Sequence, residues 1–129
     1  MKLKAIDHIA VFTVDINESV RFYTEVLGLK ETKRIPNGDS VLVYMEINDT
    51  SAIELFDHEK EIAYSEHSPS SSGAAHFCLS VTGIEEWNEH LKKHNVEFTL
   101  PLCSLEHLGK KVLLFKDPNG VVIELSEDL

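Results

Sequence analysis

The chain has 129 residues, 43% of them apolar, with a formal net charge of -10 at pH 7; this is the usual size of one domain with one core. Its twelve basic residues are scattered or paired, as in Lys92-Lys93 and Lys110-Lys111. With no basic stripe to displace counterions, neither nucleic acid nor an anionic membrane is expected as a partner. No apolar run approaches the ~18 residues of a membrane span, no signal-peptide core follows Met1-Lys2-Leu3-Lys4, and Cys78 and Cys103 form no CxxC pair, so a cytoplasmic protein with reduced thiols is expected.

In chain order, Asp7-His8-Ile9-Ala10-Val11 reads as a strand. Asp15 is placed to cap a helix in which Ile16, Val20, Tyr23 and Leu27 share one face, and Gly28 supplies its left-handed stop. Strand-like runs follow at 29–34, 41–47 and 51–56, separated by Pro36-Asn37-Gly38-Asp39 and Asn48-Asp49. Residues 59–73 are rich in Ser and carry Pro69, which marks a linker.

The same order then repeats. His76-Phe77-Cys78-Leu79-Ser80-Val81 opens a second strand-like run, and Ile84, Trp87 and Leu91 lie at helical spacing. Asn95 takes the place that Gly28 holds in the first half. Runs at 96–100, 111–115 and 121–125 follow, the last two joined by the turn Asp117-Pro118-Asn119-Gly120. His8 and His76 stand 68 residues apart, and Ile-Glu-Leu recurs at 53–55 and 123–125. The expected architecture is therefore α+β, one domain over 1–129 built from two βαβββ modules, 6–56 and 75–126. A unit of some fifty residues buries little surface alone, so the modules are expected to share a core, as one curved mixed sheet with an open cleft.

Alternation along each strand sets a ligand-type residue against aliphatic neighbours. Glu54 lies opposite Ile53 and Leu55, Glu124 lies opposite Ile123 and Leu125, and His8 and His76 lie opposite Ile9 and Phe77. If the aliphatic side chains enter the core, two imidazoles and two carboxylates face the cleft. His8, Glu54, His76 and Glu124 form a mixed nitrogen and oxygen set that suits one divalent Ni, Co, Zn, Mn or Fe ion, with positions left for substrate. His90 and His94 stand four apart on a helix, but without a third ligand nearby a solvated helix face is the simpler reading. His58, His67 and His107 fall in loop-like segments, and Cys78 reads as a small buried side chain.

The chain resembles the vicinal oxygen chelate superfamily, which includes glyoxalase I, methylmalonyl-CoA epimerase, extradiol dioxygenases and the fosfomycin and bleomycin resistance proteins. The matching pieces are residues 6–11 and 19–29, then Ala75-His76-Phe77-Cys78-Leu79 and Asp117-Pro118-Asn119-Gly120 running into Ile123-Glu124-Leu125. They span nearly the whole chain and are specific for the superfamily, not for one reaction. Glyoxalase I-like members are similar in carrying Glu at the second ligand position, here Glu54; epimerases tend to have Gln there. The resemblance thus implies a metal-dependent lyase or isomerase that moves a proton between adjacent carbons of a hemithioacetal or a related small substrate. Glu124 would be the leading base and Glu54 its partner.

At two glutathione-contacting places, where bacterial glyoxalase I-like enzymes carry Arg and Asn, this chain has Phe12 and His58. Another thiol adduct, or a substrate that is no thiol adduct, is implied, with Phe12, His58 and Cys78 as substrate contacts. Two further readings stand beside this one. An Fe(II)-dependent ring cleaver or a resistance-type thiol transferase would use His8, His76 and Glu124, and a drug-binding protein would need none of the four. The resemblance also implies a homodimer.

Overall fold

The computed structural model describes residues 1–57 and 76–129. The chain divides between residues 63 and 64 into two compact units, one for each βαβββ module.

The first module runs β1 (His8–Thr13), α1 (Ile16–Glu25), β2 (Lys30–Asn37), β3 (Ser40–Asn48) and β4 (Ser51–Asp57). Its sheet has the order β1-β4-β3-β2, with β1 parallel to β4 and the other pairs antiparallel. A parallel pair needs a long crossover, and α1 with β2 and β3 provides it. Asp15 caps α1 as its sequence predicts, its side chain accepting from the Asn17 and Glu18 amides at 2.8 and 3.0 Å. Gly28, at φ +70, ends the turn by donating to the Thr24 carbonyl at 3.1 Å. Val11, Tyr23, Val43, Met45, Ile53 and Leu55 are buried in this unit. The buried stripe of α1 is Ile16, Ser19 and Tyr23. Ser19 takes the inward place that the spacing assigns to Val20, which is half-buried.

The second module runs β5 (Phe77–Ser80), α2 (Ile84–Lys93), β6 (Phe98–Leu105), a 3-10 turn (Glu106–Leu108), β7 (Lys110–Lys116) and β8 (Val122–Asp128). Its sheet repeats the first, in the order β5-β8-β7-β6 with β5 parallel to β8. Ile84, Leu91, Val112, Leu113, Phe115, Ile123 and Leu125 are buried there. Trp87 is only half-buried, its ring edge-on to His90 at 5.7 Å. Asn95 takes the left-handed conformation at φ 54, as its correspondence with Gly28 predicts. The Asp117 carboxylate organises the turn into β8, accepting from the Asn119 and Val121 amides, both at 2.8 Å. The linker at 59–73 lies outside the described residues.

Candidate functional site

In each module the parallel strand pair brings one imidazole to one carboxylate. Ala10 of β1 pairs with Glu54 of β4. His8, two residues back on the same face, reaches the carboxylate. His8 Nε2 stands 2.9 Å from Glu54 Oε2. In the second module Cys78 pairs with Glu124, and His76 Nε2 stands 2.7 Å from Glu124 Oε2. The expected His–Glu correspondence is therefore present twice, each pair inside its own module. Ile53, Leu55, Ile123 and Leu125, the aliphatic neighbours of the two glutamates, are all buried, as the alternation predicts.

The carboxylates differ in surroundings. The Glu54 side chain is 5% exposed and that of Glu124 is 19% exposed. Glu54 is hydrogen-bonded by the Tyr44 hydroxyl, and that hydrogen bond, with burial and the carboxylate charge, raises the phenol above its ordinary value. His8 Nδ1 stands 2.8 Å from Asp7 Oδ2. The bond to Asp7 is the main reason that His8 holds its proton above its ordinary value, burial opposing and the charges of Glu54 and Asp7 adding. A carboxylate on the far nitrogen of a ligand histidine sets its tautomer and its ring orientation. Asp7 and Tyr44 were not legible as site residues. Asp7 had a signal in its position next to His8. Tyr44 had none, because only the strand register places it against Glu54.

The pairs fit a divalent cation in one respect that can be measured. Two ligands in adjacent positions on an ion with bonds of 2.0–2.2 Å stand roughly 3 Å apart, which is the spacing of each His–Glu pair. Each module presents one imidazole and one carboxylate; among the described residues no group of three or more His, Cys, Asp or Glu side chains lies together in metal-binding geometry.

Phe12 lies on the same face as His8 and Ala10, its ring 5.3 Å from that of Phe56. It makes an aromatic wall beside Glu54 where the resemblance looks for an arginine. Cys78 is exposed, not buried. Burial of its sulfur and the charge of Glu124 still raise its thiol above the ordinary value. His58 and His67 lie outside the described residues. His90 of α2 and His94 at its C-terminal cap approach each other, their ring centroids 4.6 Å apart. Among the described residues no helix is long and apolar enough to cross a membrane.

Residues 5–125 match a model of the Glyoxalase/Bleomycin resistance protein/Dioxygenase superfamily. The protein YwkD of Bacillus subtilis (strain 168) is 30% identical over 130 residues, 98% of this chain and 99% of that one. The mitochondrial methylmalonyl-CoA epimerase of Dictyostelium discoideum is 27% identical over 128 residues, 95% of this chain and 77% of that one. The crystal structure of a glyoxalase family protein from Enterococcus faecalis aligns with a TM-score of 0.81 and 26% identity, over 98% of this chain and all of that chain.

Proposed function

The chain belongs to the Glyoxalase/Bleomycin resistance protein/Dioxygenase superfamily, and from that premise we propose that it is a metal-dependent isomerase or lyase of the glyoxalase I type. Its substrate would be a small molecule with adjacent oxygens, such as a hemithioacetal. The observation that carries the reading is the doubled pair: an imidazole and a carboxylate at 2.9 Å in one module and at 2.7 Å in the other. His8, Glu54, His76 and Glu124 are the four ligands of one Ni, Co, Zn, Mn or Fe ion. A divalent cation, when bound, offsets negative charge developing on a substrate oxygen and so acidifies the neighbouring C–H bond.

The protein's own part is proton transfer. Glu124, the more exposed carboxylate, takes the proton from one carbon and returns it to the next. The reaction is an isomerisation and needs no outside oxidant or reductant. Glu54 stays close to His8 and partners the base. Phe12 meets an apolar portion of the substrate where an arginine would meet a carboxylate, which points to a thiol other than glutathione. His58 and Cys78 are further substrate contacts. A ring-cleaving reaction on His8, His76 and Glu124 would leave Glu54 without a task, although it is buried against His8.

The test is to strip the purified protein of metal and reload it in turn with Ni, Co, Zn, Mn and Fe(II). Isomerase activity is then assayed on methylglyoxal adducts of several thiols, with Glu124→Gln alongside. Activity restored by metal and lost by at least a hundredfold in Glu124→Gln is the expected result. One bound metal per site without isomerisation would overturn the reaction and direct the search to oxygen uptake. Absence of binding for every ion would overturn the metal site and leave a small-molecule binding protein.

A further inference from the structure

The two His–Glu pairs are alike in spacing and unlike in their neighbours. Across the sheet Glu54 is flanked by Ala10 and Tyr44, while Glu124 is flanked by Cys78 and Leu114. Residues paired directly across neighbouring strands project from the same face. Tyr44 therefore stands beside Glu54 at the place that Leu114 holds beside Glu124. The Tyr44 ring is edge-on to His8, with centroids 6.1 Å apart, and the Lys33 ammonium sits 5.8 Å from the ring centre on β2. Tyr44 thus neighbours both members of the first pair. On the other pair a leucine offers no hydrogen bond, and Cys78 offers only a weak thiol donor.

We propose that Tyr44 is a positioning residue that holds the Glu54 carboxylate in place as a stationary metal ligand, and that Leu114, lacking a hydroxyl, leaves Glu124 free to move the proton. The inference rests on the metal-dependent reading above. Two carboxylates of one site take different tasks when their surroundings differ. Glu54 has a hydrogen bond from a phenol and an imidazole at 2.9 Å, so leaving its place costs both contacts. Glu124 gives up the 2.7 Å approach of His76 and only a weak thiol hydrogen bond from Cys78. A group that must take a proton from one carbon and deliver it to another needs that freedom. A duplicated module thereby gives two unlike carboxylates through their cross-strand neighbours, Tyr44 against Leu114 above all.

The experiment measures the dissociation constant of Zn and of Ni for the stripped protein by equilibrium dialysis, in wild type, Tyr44→Phe, Glu54→Gln and Leu114→Tyr. Removing an outer hydrogen bond to a metal ligand typically weakens metal binding by about 10- to 100-fold. Tyr44→Phe is expected to fall at about tenfold, with the melting temperature of the metal-free protein unchanged. Its activity falls at limiting metal and recovers as metal is raised, which a merely structural role would not produce. Leu114→Tyr gives Glu124 the same restraint and is expected to lower the rate at saturating metal by about tenfold, on the scale of one general-base contribution, without loss of metal affinity. If Glu54→Gln loses the metal while Tyr44→Phe binds as wild type does, the role of Tyr44 is overturned and the metal reading stands. If wild type binds neither ion, the metal reading falls and the role of Tyr44 falls with it.

Discussion

At the scale of single residues, the two His–Glu pairs depend on side chains buried on the opposite face of their strands. Ile53 and Leu55 bracket Glu54, and Ile123 and Leu125 bracket Glu124, all four at 0–1% exposure. Anchored on the core face, they oblige the glutamate between them to project from the other side of its strand. Each buried aliphatic side chain contributes about 1.5–3 kcal/mol by transfer alone. Ile123→Ala is therefore expected to cost about 2–5 kcal/mol, transfer and cavity together, read as a lower urea midpoint. The accompanying loosening of Glu124 is expected to lower metal affinity in the protein that remains folded. The pattern of a ligand-type residue between two aliphatics was fully legible in the sequence. The exposure of Cys78 was not, because it depends on how much of the sheet's second face is covered, and strand alternation says nothing of that.

At the scale of elements, the two helices are held by different devices. Helix α1 carries its own cap, Asp15, immediately before its first residue. Helix α2 begins after Gly83, at φ 72 and with no side-chain cap of its own. Glu127 of β8 supplies it from across the fold, accepting from the Gly83 amide at 2.6 Å and the Ile84 amide at 3.1 Å. A carboxylate at that end satisfies orphaned donors and faces the positive end of the helix dipole. Asp15→Ala and Glu127→Ala are each expected to cost about 1 kcal/mol in urea denaturation, and Glu127→Gln less, since it keeps an acceptor. Asp15 announces itself by adjacency. Glu127 is more than forty residues from the start of the helix it caps, and its role exists only once β8 lies beside the start of α2.

At the scale of the whole molecule, the chain is a duplication that has kept its scaffold and let its details diverge. Both modules have the strand order of an outer parallel pair followed by an antiparallel meander, and both place a His–Glu pair on that parallel seam. We expect a homodimer. Light scattering at micromolar protein is expected to give twice the monomer mass, and a monomer would refute it.

Hydrophobic periodicity, helix punctuation and the recurrence of His8 with Glu54 as His76 with Glu124 were determined by the sequence alone. These are local properties, fixed by backbone geometry and by which side chains avoid water. The neighbours of the two carboxylates were decided by tertiary structure. Counted from the Asn48–Ser51 pairing at the β3–β4 turn, Glu54 would oppose Met45; the register shift between Glu46 and Asn48 sets it against Tyr44 instead. A slip of one residue exchanges the faces of a strand, and a bulge makes that slip where long-range pairing and core packing require it. Whether Glu54 meets a buried thioether or a phenol that can hold it is therefore settled by the partner strand.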